Sequence, residues 1–314
     1  MKSVEAYKTK QGKKGKLLNL LWKYRWYYVM MTPVIVLAIL FNYIPMLGVR
    51  FAFYEYTPFK GPNYVGLENI KNAFSNRAFW SAFGNTIQIS TTKLFLNTIT
   101  SVIISILLNE IISIKVKKFF QTIIYLPHFL SWVVVASIFA IVLSPQNGFV
   151  NQILVSLGVI DKPIYFLAES KWWRTVYYLV NIWKDMGWGT IIFLATLTGI
   201  DPQLYEAAAI DGANRWGKIK YITIPSLAQT VIIVLILNLA KVMNLFESVF
   251  VMYSARVYDV ADVLQTYIYR QTLTTPVPNF GYTTSVGLFS SIVGCILVLI
   301  CNYLSKKVRG RGIL

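Results

Sequence analysis

Polar side chains that could do chemistry cluster inside stretches that are otherwise apolar. Asn238, Lys241, Asn244, Glu247 and Ser248 share one such stretch, Trp183, Lys184, Asp185 and Trp188 a second, and Lys93 stands in a third. Amide and ammonium groups donate to sugar hydroxyls, Asn also accepts, and a Trp face can stack on the apolar side of a sugar ring. A charge near the centre of a bilayer costs about 2.5–3.5 kcal/mol on insertion scales, so it faces a cavity or a partner. Helical spacing puts Asn238, Lys241 and Ser248 near one side, with Asn244 and Glu247 drifting around it. Two roles fit these residues: lining a polar pathway between helices, or bridging to another subunit. Adjacent Lys184 and Asp185 are candidates to neutralise part of each other's charge, although neighbours on a helix do not face one another, and Lys93 has no obvious local partner. Catalysis does not fit. His128 is the only histidine, which argues against a metal site or a His-based triad, and it reads as a packed residue at the Pro127 kink.

The elements that must hold these side chains follow from composition. Of 314 residues 56% are hydrophobic and 14% charged, against about 25% charged in a soluble domain. Several apolar runs approach the ~20 residues that cross a bilayer. A soluble enzyme, a disordered chain and a fibrous one are all excluded. The net charge of +17 reads as cationic loops of a membrane protein rather than as a nucleic-acid footprint. Cys295 and Cys301 lie six residues apart in one run, about 9 Å along a helix and too far for a disulfide.

The expected fold is an all-α polytopic membrane protein with six transmembrane helices: Tyr27–Leu47, Thr86–Leu108, Phe119–Leu143, Trp173–Gly199, Ser226–Met252 and Gly281–Leu304. With the N-terminus inside, the inner segments hold eighteen lysines and arginines and the outer connections eight, so both termini are expected to be cytoplasmic. The domain expected is 27–304, between a basic tail, 1–26, and a second, 305–314. The first apolar run reads as a retained anchor rather than a cleaved signal. Leu17, Leu18, Leu20, Leu21 and Trp22, interleaved with Lys16, Lys23 and Arg25, suggest an interfacial helix; a frayed basic tail is the alternative. A short outer helix is expected from Leu67 to Phe83.

The connection from 201 to 225 is more ordered than a linker needs to be. Asp201-Pro202 is a helix start, a capping side chain followed by a proline whose missing N–H costs nothing there. Leu204 through Asp211 favours helix, and Gly212 permits a backbone reversal. A second stretch with Trp216, Ile219 and Ile222 on one side runs to Pro225, which marks the start of the fifth span. A helix–turn–helix on the cytoplasmic face results, either a passive connector or an element that another protein pushes.

Glu206-Ala207-Ala208, three residues, Gly212, nine residues, then Ile222-Thr223-Ile224-Pro225 resembles the EAA loop of bacterial ABC importer permeases, with Ile224 for the usual Leu. Tyr125-Leu126-Pro127-His128-Phe129-Leu130-Ser131-Trp132, Tyr258-Asp259-Val260-Ala261-Asp262-Val263 and Phe280-Gly281-Tyr282 resemble the complex-carbohydrate branch of the maltose-type permeases. The resemblance covers nearly the whole chain.

It implies that Glu206, Ala207, Ala208, Asp211 and Gly212 couple to an ATPase, Glu206 meeting a basic residue and Gly212 setting the bend. It also places Asn238 and 241–245 where those permeases line the sugar site. The company implied is a second homologous permease, two cytoplasmic ATPase subunits holding ATP and Mg, an extracytoplasmic solute-binding protein, an oligosaccharide and membrane lipid, with no nucleic acid. The chain itself shows no GxxxxGK[ST] phosphate loop, so no cofactor is assigned to it. The function implied is the non-catalytic permease subunit of an oligosaccharide importer in the bacterial cytoplasmic membrane. The alternative is an ion-coupled secondary transporter, which would be built on inverted repeats with paired broken helices; the sequence displays none.

Overall fold

A backbone that crosses hydrocarbon must satisfy its N–H and C=O groups within itself, and a helix does so. The structure, a computed structural model, describes residues 19–20 and 22–309; Lys16, Leu17, Leu18 and Leu21 of the expected interfacial helix lie outside them. Long helices dominate: α1 (Arg25–Phe53), α3 (Arg77–Asn109), α7 (Ser170–Thr198), α9 (Arg215–Leu239) and α13 (Phe280–Arg309). Between α1 and α3 come strands β1 (Tyr54–Thr57) and β2 (Lys60–Tyr64) and helix α2 (Glu68–Ser75). Helices α4 (Ile114–Tyr125), α5 (Trp132–Val142) and α6 (Phe149–Ser156) link α3 to α7. Helix α8 (Pro202–Ile210) precedes α9, and α10 (Glu247–Phe250), α11 (Tyr258–Ala261) and α12 (Leu264–Leu273) follow it.

Among the described residues four helices are long and apolar enough to cross a membrane: α1, α3, α9 and α13. The pair α4–α5 makes a fifth if counted as one span, although its two parts meet at 100°. Helix α7 is comparably long but carries Arg174, Lys184 and Asp185. The protein is thus a mostly helical, polytopic membrane chain.

Several expectations need correction. The fold is not purely helical, because β1 and β2 form an antiparallel hairpin with Tyr54 opposite Tyr64. The outer helix stops at Ser75, and the helix that carries the second span begins at Arg77, ahead of the expected span start at Thr86, capped by the Asn76 carboxamide, which accepts from the Ala78 N–H. The third span is two helices. The fifth ends at Leu239, not Met252, and residues 240–246 are turns and irregular chain.

Pro225 does not begin a new helix either. A π-helical turn at Ile219–Thr223 carries α9 through it without a stop, as a similar turn at Ile39–Tyr43 carries α1 through Pro45. Proline removes one N–H and crowds the carbonyl four residues back; the wider π turn relieves both.

The broadest packing is α3 against α7, with α9 laid across both. Small polar residues occupy these seams: Ser90, Thr98, Ser101, Ser105, Asn181 and Thr190 are all buried, as close helix approach in a membrane favours. Gly187 shows how close, since a Cβ there would lie 2.2 Å from the Ile124 carbonyl oxygen of α4. Apolar cores fill the ends. Trp173, Tyr177, Val249 and Val257 form one, Phe79, Leu264, Tyr267 and Val286 another, and Phe193, Leu197 and Leu227 a third. Helix α1 stands apart: most of its apolar side chains are exposed, and its closing segment, Leu47–Phe53, docks against α13, β1 and α2.

Candidate functional site

The packing of α3, α7 and α9 borders an open-sided cavity of about 380 Å³. Helix α3 contributes Ser90, Lys93, Asn97, Thr98 and Ser101, and α7 contributes Asp185, Trp188 and Gly189. Asn238 lies in the last turn of α9, and the irregular chain beyond the helix supplies Lys241 and Asn244. Non-helical backbone at membrane depth is tolerated where it lines a cavity or is buried in protein, and both hold here. Ser90 Oγ donates to the Val242 carbonyl at 2.7 Å. Met243 is buried in the apolar cluster of Phe79 and Leu264.

Of the eight side chains expected in the pathway, five line this cavity: Lys93, Trp188, Asn238, Lys241 and Asn244. They meet because the chain breaks at 240–246, so the expected helical spacing of Asn238, Lys241 and Ser248 does not apply. Ser248 instead pairs with Tyr177 Oη at 2.7 Å in the core. Trp183 packs edge-on against Phe139, Glu247 opens α10 on an exposed surface, and Lys184 is buried; none of these three lines the cavity.

Lys184 has a different task. The break between α4 and α5 leaves carbonyls without helical partners, and Lys184 Nζ donates to that of His128 at 2.8 Å. Asp185 consequently does not pair with its neighbour; its Oδ1 meets His128 Nδ1 at 3.2 Å. The His128 ring also stacks on Trp188, 4.6 Å between centroids and 7° from parallel. His128 is packed and hydrogen-bonded beside Pro127, as expected, but also lines the cavity with Asp185, which sequence reasoning missed. Its place inside the motif around Pro127 was the available signal.

Lys93 makes no hydrogen bond or ion pair among the described residues; its Nζ stands 5.7 Å over the Trp132 ring. Asn97 Oδ1 is buried without a hydrogen-bond partner. The cavity therefore offers two ammonium groups, amides, the Asp185 carboxylate held by His128 and one half-exposed indole, a set rich in donors for hydroxyls and anions. No group of His, Cys, Asp and Glu that could hold a metal occurs among the described residues.

At the far end of α3 and α7 the segment 252–263 is pinned down. Arg174 donates to the Val260 carbonyl, Asn85 Oδ1 and Gln88 Oε1, while Asn85 Nδ2 donates to the carbonyls of Asp259 and Asp262. Asp262 also pairs with Arg270. Burial works against the Arg270 charge, but the Asp262 carboxylate outweighs it and holds the guanidinium pKa above its usual value. Tyr267, Tyr282 and Asn76 close a second knot. Gly281 lets α13 pass under the hairpin, where a Cβ would strike the Tyr54 carbonyl.

The residues expected to couple to an ATPase lie on a separate surface. The Asp201 carboxylate caps α8 by accepting from the Gln203 N–H at 2.9 Å, and Gly212 takes φ +78°. Glu206, Ala207, Asp211 and Gly212 are exposed, Ala208 half-buried, beside the exposed apolar side chains of Leu204, Ile210 and Trp216. Arg215 fastens this loop to α3, its Nε donating to Glu110 Oε2 at 2.6 Å.

Residues 101–310 match the family described as binding-protein-dependent transport system inner membrane component. The chain is 37% identical to the polygalacturonan/rhamnogalacturonan transport system permease protein YteP of Bacillus subtilis, over 99% of this chain and 97% of that one. It is also 37% identical to Protein LplB of the same organism, over 92% and 91%. Its fold matches a crystal structure of a bacterial ABC transporter involved in import of the acidic polysaccharide alginate, with TM-score 0.84, 33% identity, and 94% and 99% of the two chains covered. A second such structure holds the alginate transporter in complex with an alginate pentasaccharide-bound periplasmic protein. The chain belongs to the family of binding-protein-dependent transport system inner membrane components, multi-pass permeases of the cytoplasmic membrane.

Proposed function

We propose that this chain forms half of the translocation pathway of an ATP-driven oligosaccharide importer, with the cavity beside Lys93, Trp188 and Asn238 as its share of the sugar route. The non-catalytic role follows from the family. Six spans, 27–304 between two basic tails, complete the proposal: α7 is the fourth, being wrapped by α3, α4 and α9, and α4–α5 the broken third. Both termini then lie in the cytoplasm with the 201–225 loop.

One observation carries the mechanism. A capped helix, a left-handed glycine and a second helix present Glu206 beside exposed Leu204, Ile210 and Trp216, and an apolar set rimmed by charge on a membrane protein's aqueous face suits a docked protein. The partners are two ATPases, which bind ATP and Mg, a second permease and a solute-binding protein. ATP-driven closure draws the coupling loops together and turns the cavity outward; hydrolysis reopens it inward, a rigid-body alternation.

An ion-coupled carrier draws support from one finding, since two spans are interrupted, at 130–131 and 240–246, where the sequence displayed no such pair. Near full-length identity to permeases of binding-protein-dependent systems outweighs it. Uptake by proteoliposomes holding the full assembly should require ATP and the binding protein. Uphill uptake by this subunit alone, driven by an ion gradient, would overturn the proposal.

A further inference from the structure

We infer that the cavity selects an oligosaccharide bearing carboxylate groups, with Lys93 and Lys241 reading the carboxylates. The inference rests on the importer reading above and adds the chemical class of its cargo. The charged groups on the cavity wall are Lys93, Lys241 and Asp185, with His128 beside them. Asp185 is already engaged by His128, and the nearby ammonium of Lys184 is spent on the His128 carbonyl.

The two remaining cations have no such commitment. Lys93 is half-buried and makes no hydrogen bond or ion pair among the described residues; its Nζ stands over the Trp132 ring, and the Asp185 carboxylate acts on it only through space. Lys241 is exposed on irregular chain, likewise without an anionic partner among the described residues. A cation kept at membrane depth without a directly paired counter-ion is costly, and a neutral sugar would leave Lys93 with only the through-space help of Asp185. A uronate supplies a carboxylate for a charge-assisted hydrogen bond, while Asn238 and Asn244 meet hydroxyls and the open face of Trp188 meets the ring.

The test uses the reconstituted assembly with its binding protein and two probes, trigalacturonate and its uncharged methyl ester. Wild-type vesicles should accumulate the acid at least about tenfold better than the ester, the worth of one charge-assisted hydrogen bond. Lys93→Met should erase most of that preference and Lys93→Arg should keep it. Lys241→Met, at an exposed position, should halve the preference or more and keeps the test available should Lys93→Met not assemble. Equal uptake of acid and ester by wild type would overturn the inference and leave the importer reading standing. A preference that survives both Met variants would also overturn it, placing selection in the binding protein. ATP-independent accumulation of the acid would instead sink the importer reading.

Discussion

Gly187→Ala is the sharpest perturbation of the cavity, because the space it fills belongs to backbone. A Cβ at 187 would lie 2.2 Å from the Ile124 carbonyl oxygen and 2.7 Å from its carbon, where ordinary contact begins at 3.4 Å. Helix α7 must therefore back away from α4 by about 1.2 Å at this point, the difference between those distances. No side-chain rotation relieves it. Overpacking of this kind costs about 1–3 kcal/mol, and an unyielding backbone partner puts this case near the upper figure.

His128 lies one helical turn beyond Ile124, so the same separation stretches its 3.2 Å contact with Asp185 past hydrogen-bond range. Thermal unfolding of the purified assembly, followed by tryptophan fluorescence, should shift down on the order of 5–10 °C, and sugar uptake should fall with it.

Gly189→Ala is the control. Its Cβ meets a side chain, Ser101 Oγ at 2.2 Å, so pairing it with Ser101→Gly should recover most of the loss. A Gly187→Ala assembly that melts and transports like wild type would refute the reasoning, since the helices would not then be in backbone contact.

Three further outcomes are expected. Gly212→Val should insert normally but lose ATPase co-purification: nothing crowds the position, yet φ +78° is strained by about 1–2 kcal/mol for a residue with a Cβ; normal co-purification would make the loop a mere connector. Lys184→Met should lower the melting temperature through loss of the 2.8 Å bond to the His128 carbonyl, a half-buried acceptor whose orphaning costs about 1 kcal/mol, the low end of the range for a buried group; an unchanged melt would dismiss Lys184 as the prop of the α4–α5 break. Glu110→Ala should barely change stability, because its pair with Arg215 is exposed and worth about 1 kcal/mol at most. It should nonetheless lower sugar uptake per ATP hydrolysed several-fold, and an unchanged ratio would show that the strut between loop and α3 carries no coupling.

The sequence determined what depends on neighbours along the chain. Runs of apolar residues specify membrane helices because no other environment suits them, so the long helices fall close to where they are expected. Asp201-Pro202 and Gly212 specify their cap and turn by local chemistry alone, and both form. Five of the eight residues expected in the pathway line one cavity, because a polar group in an apolar run needs somewhere to point.

What the tertiary structure decided is which polar group meets which. No glycine or proline lies between Asn238 and Glu247, so nothing local announces the end of α9; Ser90 of α3 holds the Val242 carbonyl in its place. Asp185 turns from adjacent Lys184 to His128, 57 residues away, because neighbouring residues on a helix face apart while close packing at Gly187 brings α4 within reach. Partners in a membrane interior are set by how helices lie against one another, and that order of contact is not written in any single stretch of chain.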